Sequence, residues 1–242
     1  MNIAQHVKYD LTRIFKSPLG YLGFLISLFP GIAIMISVKT LDGPFDAQVV
    51  LAMFFVFGGL VLLMFSIRTI VRDMQYGTIQ LFLNSKTNRV KYLYGKLLSI
   101  IGIVIIFTIL GTLFTLLAST IIDAGELSVS DYFKMFGEFL LIMLFYGTLL
   151  NILNLLTGKS AVVYTTAIIL ILFLPNIFDA LIFIPEIGED LSKMMKYNPL
   201  DFLPKILNQG LLTMKVSQIW ISVACIAVFT GINHYMIRNK NI

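Results

Sequence analysis

Six stretches of this chain hold no aspartate, glutamate, lysine or arginine: Ser17–Val38, Ala47–Ile67, Leu97–Ile122, Phe139–Gly158, Ser160–Phe178 and Val216–Ile237. Each is at least 19 residues long, and about 20 mostly apolar residues carry a helix across ~30 Å of hydrocarbon. The pattern predicts an all-α membrane protein with six transmembrane helices. A soluble bundle would need polar outer helices around these six, and the sequence offers none. The first run exceeds the ~7–15 residues of a signal-peptide core and is followed by no small-x-small cleavage site, so it is read as the first span.

The segments outside the spans have patterns of their own. Ile3, Val7, Leu11, Ile14 and Phe15 recur at helical spacing, with Lys8, Arg13 and Lys16 among or opposite them. This predicts an amphipathic helix within residues 1–17 that lies in the membrane surface, broken by Ser17-Pro18. Arg68 to Lys96 reads as a long loop between the second and third spans. Within it, residues 77–85 read as a short helix started by Gly77 and Thr78, with Ile79, Phe82 and Leu83 on one apolar face. Such a patch in basic surroundings suits a partner's groove, and folding back onto the membrane is the alternative. Pro175, Pro185, Pro199 and Pro204 crowd residues 174–215 and predict short broken helices between the fifth and sixth spans. The whole chain, 1–242, reads as one membrane domain.

Composition supports this and charge orients it. The chain is 58% hydrophobic and 13% charged, with a mean hydropathy of +0.90; soluble domains run about 45–50% and ~25%. Of the 18 basic residues, 12 fall on the side of the amino terminus, with only Asp10 and Asp73 as acids there. Lysine and arginine mark the cytoplasmic side, so both termini and the Arg68–Lys96 segment are expected in the cytoplasm. The net charge of +5 is then a topology signal, and no nucleic-acid partner is expected.

Candidate chemistry is sparse. No catalytic residues and no metal site are expected: His6 and His234 lack carboxylate or cysteine company, and Cys225 is a single thiol. Gly158-Lys159-Ser160 resembles the end of a phosphate-binding loop, but Leu153 stands where the earlier glycine belongs and no strand precedes it. Glu138 and Asp179 lie at span ends, and Glu138 stands four residues after Lys134, the spacing of a helical ion pair. Two small or polar stripes suit close helix packing. Gly20, Gly23, Ser27 and Gly31 lie in the first span, where the contact is either within the chain or with a second copy; Gly147, Asn151, Asn154 and Gly158 lie in the fourth.

The segment after the second span resembles that of ABC-2 type transporter permeases, in Asp73, Gly77-Thr78, Leu81, Leu83-Asn84-Ser85, Asn88-Arg89 and Gly95-Lys96. Asp73 takes the place of the usual glutamate, and Lys86-Thr87 lacks the common proline. Tyr197-Asn198-Pro199-Leu200 before the last span is a second match. The resemblance implies a transport subunit in the bacterial cell membrane, not an enzyme and with no cofactor of its own. Two separate ABC ATPase subunits would bind ATP and Mg, and a second permease copy or a paralogue would complete the pore among membrane lipids. Residues 77–85 would be the coupling helix, with Gly77, Thr78, Ile79, Phe82, Leu83 and Arg89 facing the ATPase. Within the family the chain is similar to permeases of Gram-positive exporters of amphipathic or antimicrobial peptides, the phenol-soluble modulin exporters among them. Lipids, polysaccharide or small drugs as cargo, and a ligand-sensing regulatory subunit, are the alternatives.

The charge asymmetry has a direct test. With Cys225 replaced, single cysteines at Asn84 and Gly125 should report opposite sides of the membrane to an impermeant thiol reagent. Labelling of Asn84 from outside intact cells would reverse the orientation.

Overall fold

The structure is a computed structural model and describes residues 2–78, 85–122, 125, 127–185, 188–210 and 212–239. Among these there is no strand. The helices are α1 (Ile3–Phe15), α2 (Pro18–Leu41), α3 (Ala47–Gln75), α4 (Lys86–Ser119), α5 (Val129–Thr157), α6 (Ser160–Ile168), α7 (Leu174–Ile182), α8 (Gly188–Met195), α9 (Pro199–Gln209) and α10 (Val216–Asn239), with a π-helical turn at Ile169–Phe173 joining α6 to α7. Six helices are long and apolar enough to cross a membrane: α2, α3, α4, α5, the α6–α7 rod and α10. The start of α1 and the end of α10 lie at one end of this bundle, where His6 stands beside Tyr92 and the Arg89 guanidinium donates to the Arg238 carbonyl at 3.3 Å. We call that end the terminal face.

The helices outrun the charge-free stretches that predicted them. α3 continues past Arg68 to Gln75, and α4 begins at Lys86. The expected Arg68–Lys96 loop is therefore mostly helix, and only residues 76–85 link α3 to α4. On these extensions Arg72, Asp73 and Lys96 pair with one another and with Asp10 of α1, and helix continues through them. Gly77 closes α3: its φ is +67°, a conformation natural to glycine, and its N–H donates to the Met74 carbonyl at 3.1 Å. Residues 79–84 of the expected coupling helix, including Ile79, Phe82 and Leu83, lie outside the described residues.

α3 and α5 are the most buried spans, while the α6–α7 rod and α10 present most of their surface outward. Around α3 and α5 the core is aromatic: Phe55 and Phe139 stack with centroids 4.6 Å apart, and Phe54 occupies the space a side chain at Gly111 would need. Of the fourth-span stripe, Gly147, Asn151 and Asn154 face inward, while Gly158 is the exposed left-handed cap of α5. Asn151 Nδ2 donates to Asn233 Oδ1 at 2.9 Å, Asn233 Nδ2 to the Thr148 carbonyl at 2.8 Å, and Asn154 Nδ2 to the Ile70 carbonyl at 3.2 Å. These bonds tie α5 to α10 and α3.

Proline shapes the far end. Pro175 has no N–H to offer the Ile171 carbonyl, and Asn208 Nδ2 from α9 donates to that oxygen at 3.0 Å. The π turn and this bond let the fifth span continue through Pro175 to Ile182. Beyond it come the short helices α8 and α9, the broken elements expected there. Asn198 caps α9 by accepting from the Leu200 N–H at 3.0 Å, with Pro199 at the first helical position. The expected Lys134–Glu138 pair is not formed: Lys134 Nζ meets Asp131 Oδ1 at 3.1 Å. Glu138 is buried and accepts from the Met214 N–H at 2.9 Å, because its side chain turns inward to the segment leading into α10.

The stripe Gly20, Gly23, Ser27 and Gly31 is buried along α2. A Cβ at Gly20 would run into the Ile14 carbonyl oxygen; one at Gly23 would sit 2.6 Å from Phe65 Cζ and 2.8 Å from Val61 Cγ1; one at Gly31 would sit 2.5 Å from Phe114 Cε1. Gly23→Leu should therefore lower the unfolding midpoint of the detergent-purified protein, at a cost of about 1–3 kcal/mol for overpacking. Gly137→Leu, where a Cβ meets nothing within 4 Å, should leave it nearly unchanged. Equal midpoints would remove α2–α3 contact as the reason for the glycine.

Candidate functional site: an ionic cluster at the terminal face

The two acids of the terminal side, Asp10 and Asp73, meet in one buried cluster built by three helices. α1 starts at the Asn2 cap, whose side chain accepts from the Ala4 and Gln5 N–H groups. It runs to an elbow at Ser17, whose hydroxyl donates to the Ile14 carbonyl at 2.9 Å and accepts from the Gly20 N–H at 3.0 Å. The elbow folds α1 back so that it packs along α4. The side that α1 turns toward the other helices is partly polar. Its buried residues are His6, Asp10 and Ile14, while Ile3, Val7, Leu11 and Phe15 are only half-buried. A carboxylate can face inward here because α3 and α4 bring cations to meet it.

Asp10 is 1% exposed, Arg72 5%, Asp73 3% and Lys96 3%, so none of the four has water to offset its charge. Arg72 Nη2 donates to Asp10 Oδ1 at 2.6 Å. Lys96 Nζ lies 3.0 Å from Asp10 Oδ2 and 2.6 Å from Asp73 Oδ2. The Ser99 hydroxyl donates to Asp10 Oδ2 at 3.1 Å, and the Tyr92 hydroxyl to Asp73 Oδ2 at 3.1 Å. Lys96 also lies 5.3 Å from the Tyr92 ring centroid. Two carboxylates thus balance two cations, and Lys96 bridges both acids. His6 Nε2 stands 3.6 Å from Asp10 Oδ2. Burial, and then the Lys96 charge, lower the His6 pKa below its usual value, so at neutral pH His6 adds no third positive charge.

Withdrawing ions from water costs several kcal/mol each, and only multiple close partners offset it. Every member of this cluster is therefore obligatory for the others. The arrangement has no open coordination site and no nucleophile poised by a base. What it does is mechanical: it fastens α1 to the bases of α3 and α4, on both sides of the link at residues 76–85. Thr78 Oγ1 donates to the Asp73 carbonyl at 3.3 Å, so the start of the expected coupling segment hangs directly from the cluster.

Of the residues singled out from sequence, Gly77 and Thr78 lie beneath the cluster. Arg89 lies one helical turn away on α4, against the end of α10. Gly20, Gly23, Ser27 and Gly31 lie apart from it along α2. In the sequence Asp73 and Lys96 stand out as motif residues and Asp10 as one of the two acids on the amino-terminal side, but nothing there joins them. His6 and Asp10 at i,i+4 on a helix that otherwise carries cations was the available signal.

Asp10→Asn keeps the volume but leaves Arg72 and Lys96 each short of a charge partner. Breaking a buried pair costs about 3–5 kcal/mol, so the variant should unfold at markedly lower temperature and expose the α1–α2 elbow to proteolysis. Glu189→Gln, in an exposed pair with Lys193, should change stability little. An Asp10→Asn protein as stable as the Glu189→Gln protein would mean that the cluster does not hold α1.

A family model described as ABC-2 family transporter protein matches residues 5–236. A search of curated proteins finds no match. The matched region begins within α1, takes in all four charged members of the cluster and ends in the last turns of α10. With six membrane-crossing helices beneath that match, the chain belongs to the ABC-2 family of transporter proteins and is a multi-pass membrane permease.

Proposed function

We propose that this permease is the membrane half of an ATP-driven exporter of amphipathic peptides, coupled to separate ATPases through the α3–α4 link. The family places a permease beside an ATPase carried on another chain. The observation that supports coupling here is the ionic cluster. It joins α1, α3 and α4 into one unit, so a push on residues 77–85 moves three helices together. The excess of lysine and arginine on the terminal face supports a cytoplasmic position for it. Two ATPase chains would bind ATP and Mg there, and a second permease copy or a paralogue would complete the translocation path.

The substrate class rests on the character of the spans. Apart from buried Glu138, the charged residues of the described spans lie toward their ends, and the outward faces of α2, α4 and α10 are apolar. A strongly hydrated solute finds no replacement for its water shell on such surfaces, whereas a helix with one apolar face does. The likeness to permeases that export amphipathic peptides, phenol-soluble modulins among them, points the same way.

Phe82 is the largest apolar residue of the link, and aromatic anchors commonly carry ~2 kcal/mol or more of an interface. Phe82→Ala should leave membrane insertion intact and weaken ATPase binding by about 30-fold. Arg89→Ala should do less, mainly at low salt. Amphipathic peptides should raise ATP hydrolysis by the reconstituted complex, and sugars or amino acids should not. Full copurification and transport in a Phe82→Ala, Leu83→Ala protein would exclude this link as the coupling element. Stimulation by lipids or small drugs alone would reassign the cargo, and ligand binding without ATP-dependent movement would make the chain a sensor.

A further inference from the structure

Two cavities at the terminal face meet at one residue, Arg68, and differ sharply in chemistry. The first, about 310 Å³, lies at the α1–α2 elbow and is lined by Tyr9, Arg13, Lys16, Ser17, Arg68 and Tyr76, with Arg72 behind them. The second, about 360 Å³, runs between α2 and α3 and is walled by Leu22, Ile26, Phe57, Val61, Met64 and Tyr164, with Arg68 at its terminal end. A third hollow, beside Phe29 and Pro30, shares Ile26 and Phe57 with it and extends to Ile32. Polar and basic at the elbow, apolar along the helices, the three adjoin through these shared lining residues, and together they are called the furrow.

The charges in the polar part are unbalanced. Arg72 is committed to Asp10 in the ionic cluster. Among the described residues, Arg13, Lys16 and Arg68 have no carboxylate within ion-pair distance. Arg13 lies 4.8 Å above the Tyr9 ring, and Arg68 Nη1 donates to the Ser17 hydroxyl at 3.3 Å; both partners are neutral. Three cations converge on a hollow with no anion to meet them. The apolar part has the length of a lipid chain. From Leu19 to Ile26 the helix rises about 10 Å and to Ile32 about 20 Å, against roughly 15 Å for one leaflet of a ~30 Å hydrocarbon core.

We infer that this furrow holds an anionic phospholipid, with the phosphate among Arg13, Lys16 and Arg68 and one acyl chain laid along α2 and α3. Basic pockets beside membrane helices take anionic headgroups for this electrostatic reason. The hydroxyls of Tyr9 and Tyr76 add hydrogen-bond donors for the phosphate or its ester. A zwitterionic lipid carries its own cation into the hollow and gains less. The lipid is resident rather than cargo: it bridges the elbow of α1 to α3, next to the cluster that holds both. This reading requires only that the chain spans a membrane, and it does not depend on which substrate is exported.

The test is native mass spectrometry of the full chain in mild detergent, titrated with phosphatidylglycerol and phosphatidylcholine of the same acyl chains. The parent should retain phosphatidylglycerol preferentially. At about 1 kcal/mol per cation, each of Arg13→Gln, Lys16→Gln and Arg68→Gln should lower that preference about fivefold, with phosphatidylcholine binding unchanged. Lys39→Gln, at the opposite end of α2, should have no effect. Leu22→Trp, which fills the apolar furrow, should weaken phosphatidylglycerol binding. Glycerophosphoglycerol and inorganic phosphate, which have no acyl chain, should not displace the lipid at matched concentration. Arg13 and Lys16 are exposed, so their double variant removes charge without disturbing packing should Arg68→Gln fail to fold. Equal retention of the two lipids, an unchanged preference in the Arg13→Gln, Lys16→Gln protein, or displacement by headgroup alone would each overturn the inference. So would a Leu22→Cys protein that cross-links quantitatively to a second copy in native membranes, because the furrow would then be a protein contact.

Discussion

Four charged side chains, two of each sign, sit at one end of the bundle with almost no water around them. That is costly for every one of them taken singly, and the cost vanishes only when α1, α3 and α4 are all in place. The geometry of the terminal face follows. Asp10 can face inward on α1 only because Arg72 and Lys96 reach it from two other helices. α3 can extend beyond the apolar stretch because Arg72 and Asp73 find partners. Lys96, touching both acids, fixes the spacing of α3 and α4 at the point where the chain links them. An alternative packing that separated any one helix would strand a buried ion, so the cluster selects one arrangement out of several that apolar packing alone would tolerate.

The opposite end is held by weaker means. Asn208 supplies the donor that Pro175 withholds from Ile171, Lys205 joins Asp179 to Asp201, and Glu138 accepts from the backbone before α10. These are single hydrogen bonds and partly exposed pairs, each worth about 1 kcal/mol or less in most settings. Between the two ends, α5 is secured by the Asn151–Asn233 and Asn154–Ile70 bonds, and α2 lies close on α3 where Gly23 leaves room for Phe65 and on α4 where Gly31 leaves room for Phe114.

The fold class was legible because transfer of a residue into hydrocarbon is a local property. Each charge-free run declared a span without reference to any other part of the chain, and the proline-rich stretch declared its breaks likewise. The ends of the spans were not legible by the same rule. Arg72 and Asp73 beyond the second charge-free run, and Lys96 before the third, find charge partners in the folded protein, and helix continues through them as it does through Arg68. The opposite side of α1 was not legible either: His6 and Asp10 are enclosed by the protein, while Ile3, Val7 and Leu11 are only half-buried. Lys134 and Glu138 have the spacing of an ion pair, but burial of Glu138 against the backbone of a distant segment prevailed over helical proximity.

The sequence by itself determined that there are six membrane-crossing helices, that an amphipathic helix precedes them, and that positive charge gathers on the side of the termini. These follow from composition along short windows. The tertiary structure alone decided which polar residues meet. Arg72 and Asp10 are 62 positions apart, and Lys96 and Asp10 are 86, so their contact depends on the crossing of three helices. It decided as well that Arg13, Lys16 and Arg68 converge without an acid among them. Pairing between distant charges is set by how helices pack, and packing is a property of the whole chain rather than of any window along it.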